Sequence, residues 1–284
     1  MRFKIFRENG SLNSPPIFDA FEQGLKHLGH EVVKSGEDVG VIWSVLWNGR
    51  MLPNQQIYKQ YVLQNKPIII IEVGNLLRNK TWRICLNHIN GEGLFGNDQE
   101  LDSTRPSKLK VSLESVKFLR RPEILIATQH NKSLQWEGMP TIDKWVEETV
   151  KQIRQFSDRK VIVRPHPRSP IRLNTTDRSI SIQLPTRIPG SYDDFDISYN
   201  YHCVINHNSG PAVQAAINGI PIICDKTSLA YPVTAKLKDI EKIELPDRND
   251  WFLKLTHTEW TVDEIRQGIP IKRLESSILN QINS

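Results

Sequence analysis

Val161-Ile162-Val163-Arg164-Pro165-His166-Pro167 is the stretch on which the fold turns. Three β-branched residues followed by proline read as a buried strand that stops abruptly. A cation and an imidazole project from its end, with Arg168 close behind. In open α/β sheets ligands bind at the carboxyl ends of strands. Further along, Val204-Ile205 runs into Asn206-His207-Asn208-Ser209-Gly210-Pro211. The helical stretch Ala212 to Gly219 and a further strand, Ile220 to Cys224, come after it. A small, polar loop at a helix N-terminus holds anions through its N–H groups and the helix dipole. Two anion-competent strand ends in one half of a chain imply a phosphorylated ligand.

Working outward, the first half alternates strand and helix. Phe3–Phe6 reads as a strand, and Phe18, Phe21, Leu25 and Leu28 fall at helical spacing before Gly29. Strands are expected at Val32-Val33 and from Val39 to Trp47, then a helix from Pro53 to Gln64. Pro67 to Val73 contains four consecutive isoleucines, the pattern of a central parallel strand. This rhythm predicts an α/β, Rossmann-like half. Gly74 to Phe95 reads as loop, and a linker is expected between Gln99 and Arg121. The second half restarts with strand Ile124–Ala127, a charged helix from about Thr141 to Phe156, and the opening stretch. Val262 to Asn283 reads as helices broken at Gly268 to Pro270. The expected domains are residues 1–115 and 116–284, the closing helices belonging to the second.

The chain has 284 residues, 38% hydrophobic and 24% charged, the composition of a soluble globular protein. It holds no apolar run of membrane-spanning length, and its opening strand is no signal peptide, so a cytoplasmic location is expected. Three widely spaced cysteines, Cys85, Cys203 and Cys224, fit neither a disulfide framework nor a zinc site. A net charge of +5 permits a polyanionic partner.

Several residues carry candidate chemistry. His166, flanked by Arg164 and Arg168, is placed to bind phosphate; its bland alternative is a loop-filling histidine. Asn208, Ser209 and Gly210 open a helix, either around an anion or as ordinary caps. Gln129, in the loop after the neighbouring strand Ile124–Ala127, is a further donor-binding candidate or an ordinary polar loop residue. Glu72 ends the most buried strand of the first half, as a general base or as an acceptor for loop N–H groups near Gly74. Glu8 is the rival base. Arg78, Lys80, Trp82 and Arg83 interleave cations with an aromatic, as nucleic-acid-facing loops do; the alternative is a solvated loop with Trp82 anchored in the core. Asp193, Asp194 and Asp196 are a metal-site candidate by composition only, and read otherwise as a turn before Ile197 and Tyr199. Phosphate-loop, nucleophile-elbow and HExxH patterns are absent.

Residues Ile124 to Thr234 resemble the donor domain of a GT-B glycosyltransferase. Ile162 to Pro167 resembles the histidine–proline motif of capsule-type transferases. Asn206 to Pro211, with Ala215 to Ile223 behind it, resembles their serine motif and the helix and strand that follow. Trp43 to Arg50 and Pro67 to Phe95 are similar to phage-encoded glycosyltransferases that decorate hydroxymethylated bases in DNA. The resemblance implies two Rossmann-like domains facing across a cleft. It also implies a nucleotide sugar as co-substrate with no further cofactor or metal, and transfer to an acceptor hydroxyl. Double-stranded DNA is the acceptor preferred on charge; a surface polysaccharide, or DNA binding without catalysis, are the alternatives. The chain departs from capsule enzymes in being shorter and in carrying a single serine at the motif.

Overall fold

The computed structural model describes residues 1–98, 100–118, 120–173, 177–190 and 195–284, Asp196 in its backbone alone. In chain order it forms β1 (Arg2–Ile5), α1 (Pro15–His27), β2 (Glu31–Val32), β3 (Val39–Trp43), α2 (Asn54–Leu63), β4 (Ile68–Val73), β5 (Trp82–Leu86) and α3 (Arg105–Leu109). There follow β6 (Ile124–Ala127), α4 (Ile142–Ile153), β7 (Val161–Arg164), β8 (Ile180–Ile182), β9 (Thr186–Arg187), β10 (Phe195–Asp196), β11 (Cys203–Asn206), α5 (Gly210–Ile217) and β12 (Ile222–Cys224). The chain closes with α6 (Asn249–Thr256), β13 (Glu259–Trp260), α7 (Val262–Arg266) and α8 (Ile269–Ile282). Two compact units result: Met1–Val111 with Lys132–Leu134 and Leu253–Ser284, and Ser112–Asn131 with Gln135–Phe252.

The first unit holds a six-stranded sheet in the order β13-β5-β4-β3-β1-β2. β2, β1, β3 and β4 run parallel, while β5 is antiparallel to β4 and β13 to β5. Ile68 to Ile71 are fully buried, because β4 lies inside the sheet and both of its faces are covered. Each such side chain contributes about 1.5–3 kcal/mol of burial free energy. α1 begins with prolines in its first turn and buries Ile17, Phe18, Phe21 and Leu25. It crosses α7 so closely that a Cβ on Gly24 would collide with the Ile265 carbonyl oxygen.

The closing segment, expected with the second half, belongs to the first unit. Ile265, Ile271, Leu274 and Ile278 join the core built on Phe3, Phe18 and Ile69. Arg105 fixes the arrangement: its guanidinium donates to the carbonyls of Thr256 and Glu259 and to Glu264, and lies 4.1 Å from the Trp260 ring centroid. The stretch read as loop also contains β5, whose residues pair with β4 from Ile69 to Val73.

The second unit is built on a fully parallel sheet in the order β12-β11-β6-β7-β8. Its core packs Ile124, Ile126, Val161, Val163 and Ile205 against Val146, Val150 and Ile153 of α4. Strand β6 matches its sequence-predicted range, and β7 and β11 differ only at their ends.

Candidate functional site

In the second unit the chain runs from β6 to β7 and β8 on one side, then returns to the other side of β6 as β11 and β12. The reversal puts a topological switch point between β6 and β11, where open parallel sheets bind ligands. Three loops meet there. Asn206, at the end of β11, donates from Nδ2 to the Ala127 carbonyl (2.7 Å) and to Ser209 Oγ (3.0 Å). Its Oδ1 accepts from the Ser209 N–H (2.8 Å). One buried amide thus ties β6, β11 and the start of α5 together. Ser209 stands at the N-cap of α5 in extended conformation, and its hydroxyl bonds none of that helix's amides. The capping alternative for Ser209 is therefore not what the structure shows.

Gln129 Oε1 accepts from the Asn208 N–H (3.2 Å), and Gln135 donates to the Asn208 carbonyl (3.1 Å). Asn208 Nδ2 reaches Thr227 Oγ1 (2.8 Å), which donates to Asp225 (2.7 Å). Burial opposes the charge on Asp225, but the Thr227 N–H and hydroxyl and the nearby His207 hold its carboxyl below the ordinary range. Asn208 Oδ1 is buried without a protein partner among the described residues.

From β7, the His166 N–H donates to Thr128 Oγ1 (3.0 Å), and His166 Nδ1 accepts from the Arg168 N–H (3.1 Å). An accepting Nδ1 places the ring proton on Nε2, which makes that edge a donor. The His130 ring stands edge-on to His166 at 5.2 Å, and His207 is edge-on to Trp136 at 5.3 Å. His166 is half-buried and Arg168 exposed.

Arg164 does not stand on this edge. It is 7% exposed and donates to the Ser198 carbonyl (2.8 Å), the Tyr201 hydroxyl (3.2 Å) and Gln183 (3.4 Å), with Tyr199 and Tyr201 under its guanidinium. The alternation of β7 sends the side chain into a polar cluster, where it holds the segment around Ser198. Asn206 and Thr128, by contrast, do not stand out as site residues from sequence alone, although a polar residue ending a strand just before Asn208-Ser209-Gly210 is a signal for Asn206.

In the first unit the switch point lies between β1 and β3. Glu72 is half-buried, with Oε2 accepting from the Ser44 hydroxyl (2.6 Å) and Oε1 from the Val73 N–H (2.8 Å). Val39 to Trp47 is not one strand: it breaks at Ser44, which adopts φ 61° in the left-handed region. That conformation costs a non-glycine residue roughly 1–2 kcal/mol. Glu8 is exposed in the short turn after β1.

Glu72 thus also accepts a backbone N–H beside Gly74, while the N–H groups of the loop that follows go to a second carboxylate. Glu259, fully buried, accepts from the Asn75 and Leu76 N–H groups and from the Thr81 hydroxyl. It clamps the turn that carries Arg78 and Lys80, both exposed. Trp82 is 8% exposed within the core, because β5 pairs it with Val73 and Trp260. Arg83 donates to the carbonyls of Val73 and Ile89. Neither Trp82 nor Arg83 faces outward as a nucleic-acid contact; the core-anchored alternative holds for Trp82.

Among the described residues no group of three or more His, Cys, Asp or Glu is placed to hold a metal ion. Asp193, Asp194 and the side chain of Asp196 lie outside them. No described helix is long and apolar enough to cross a membrane.

No family model and no curated protein matches the chain. Among solved structures it is similar to two Thermosulfurimonas dismutans KpsC enzymes. The β Kdo 2,4 transferase shows 12% identity and a TM-score of 0.49, over 95% of this chain and 98% of that one. The β Kdo 2,7 transferase shows 12% identity and a TM-score of 0.48, over 95% and 99%. A third is Methanocaldococcus jannaschii UDP-GlcNAc 2-epimerase in complex with UDP-GlcNAc and UDP, at 11% identity and a TM-score of 0.34, over 97% and 100%. Likeness at this level decides neither the fold family nor the activity.

Proposed function

We propose that this chain is a glycosyltransferase of GT-B type that holds the nucleotide of a nucleotide sugar at the β6–β11 switch point. The observation that carries the reading is the meeting of three loops on one parallel edge. Thr128 and Gln129 follow β6, His166 follows β7, and Asn206 to Gly210 lead into α5. The α5 N-terminus and Arg168 would supply positive potential, and the neutral His166 a hydrogen-bond donor at Nε2, to phosphate oxygens. Asn208 Oδ1, without a partner among the described residues, suits a ligand N–H or hydroxyl.

In the transfer, the acceptor oxygen attacks the anomeric carbon and the bond from that carbon to the phosphate oxygen breaks. The nucleotide departs with the electron pair, its charge met by His166, Arg168 and the α5 N–H groups. The acceptor proton passes to Glu72, the general base. Incubation with UDP-, GDP- and CMP-sugars, followed by assay of slow donor hydrolysis, tests the reading. Release of one free nucleotide supports it. Binding without turnover in the presence of any acceptor returns the protein to the non-catalytic class.

For the acceptor, Arg78 and Lys80 are the exposed cations that favour duplex DNA bearing hydroxymethylated bases, over a saccharide of the capsule type. If DNA binds, log K falls linearly with log salt, and Arg78→Ala and Lys80→Ala each flatten the slope by about one unit. Transfer to an oligosaccharide but not to hydroxymethylated DNA assigns the capsule-type acceptor.

A further inference from the structure

We infer that Ser44 is a positioning residue for Glu72, holding the carboxylate through its hydroxyl at a backbone conformation that otherwise favours glycine. The inference rests on the reading of Glu72 as the base. Ser44 still belongs to the sheet through its N–H, which donates to the Ile71 carbonyl at 2.8 Å. At its α-carbon the chain turns left-handed, with φ 61°. Glycine occupies such a position without a steric penalty, so the turn alone gives no reason for serine.

The hydroxyl supplies the reason. It donates to Glu72 Oε2 at 2.6 Å and accepts from the Leu46 N–H at 3.1 Å, and Ser44 is only 4% exposed. A hydroxyl with its acceptor side occupied by a backbone amide has its proton directed at the carboxylate. The strand end is fixed from behind as well. Asn54, fully buried at the start of α2, donates to the Trp43 carbonyl at 2.7 Å and to the Asn9 carbonyl at 3.3 Å. With the Val73 N–H on Oε1, both oxygens of Glu72 are held by groups that cannot move independently of β3 and β4. A base kept in one orientation meets its proton without a search over rotamers.

Two substitutions at Ser44 separate positioning from turn-making, because one lowers turnover without stability and the other stability without turnover. Ser44→Gly relieves the left-handed backbone and removes the hydroxyl. Ser44→Thr keeps a hydroxyl and adds a branched carbon where φ is positive. The measurements are urea unfolding and turnover of the nucleotide sugar found in the hydrolysis panel, water serving as acceptor. Ser44→Gly is expected to be as stable as the parent, with kcat down roughly tenfold and KM for the donor within about twofold. Ser44→Thr is expected to be less stable and to keep most of its kcat. Glu72→Gln, run alongside, is expected to lose about 100-fold or more in kcat.

If Ser44→Gly turns over at the parental rate while Glu72→Gln is inactive, the positioning role is wrong and the base stands. If Glu72→Gln is fully active, the base reading itself fails and the inference falls with it.

Discussion

Asn206 offers the sharpest test of the nucleotide edge, because aspartate is its near-isostere and carries the charge a phosphate site rejects. Asn206→Asp replaces the Nδ2 that donates to Ala127 and Ser209 with an oxygen. Each lost bond costs about 0.5–1.5 kcal/mol, and an orphaned, buried Ala127 carbonyl about 1–3 more. Asn206→Ala loses the same two bonds and also the acceptor for the Ser209 N–H. Both variants are therefore expected to lose roughly 2–6 kcal/mol of unfolding free energy, the alanine variant the more of the two. What distinguishes them is electrostatic. A carboxylate roughly 6 Å from a phosphate charge repels it by about 0.7 kcal/mol at a dielectric of ~80 and about 2.8 at ~20. Expected affinity for UDP, CMP or GDP is thus about tenfold lower in the aspartate variant than in the alanine variant. The gap should close as salt is raised. Calorimetric titration of folded protein, with urea unfolding as control, reads both quantities. Equal nucleotide affinity in two folded variants would show that no phosphate lies near the α5 N-terminus.

Three further outcomes are expected. His166→Ala and Ser209→Ala each weaken nucleotide binding about 10- to 100-fold, a charge-assisted hydrogen bond contributing about 1.5–3 kcal/mol; unchanged affinity in both removes this edge from consideration. Turnover is expected to survive EDTA, since the proposal gives the leaving group's charge to His166, Arg168 and the α5 N–H groups; loss restored by Mg²⁺ or Mn²⁺ would direct attention to Asp193, Asp194 and Asp196. His30, His88, His202 and His257 are all held below the ordinary imidazole value of 6.5, burial being the first cause in each. The unfolded chain therefore takes up their protons first as pH drops. Stability is full above 6.5 and declines below it, so the urea midpoint should fall between pH 7 and 5. A constant midpoint over that range refutes the assignment.

The sheet interiors were legible in the sequence because they need no distant information. Four isoleucines in β4 and the run from Ile124 to Ala127 are apolar on both faces, and only a covered strand tolerates that. The break at Gly268-Ile269-Pro270 likewise marks the boundary between α7 and α8. What escaped was decided by contacts far apart in the chain. The turn at Ser44 shows no glycine or proline, because the residue that fixes it is Glu72, on another strand. β5 hides in a polar stretch because it is held by β4 on one side and by β13, near the end of the chain, on the other. Arg164 looked like a ligand group from its neighbours in sequence, while Tyr201 and Gln183 determine where its guanidinium rests. Trp82 followed the same rule, its burial set by strand parity and not by the cations around it.

The interrupted composition of the first unit has a consequence for biosynthesis. A ribosome delivers Met1–Val111 long before Leu253–Ser284, and at about 5–20 residues per second the intervening stretch takes roughly 7–30 s. During that interval β5 lacks its partner β13, and α1 lacks the apolar cover of α7 and α8. An uncovered strand edge and an uncovered apolar helix face are both invitations to misassociation. The second unit escapes the delay, since β6 to β12 are complete before α8 is made. The nascent chain thus exposes its earliest-made half longest, and chaperone engagement should concentrate on the face that awaits the last residues.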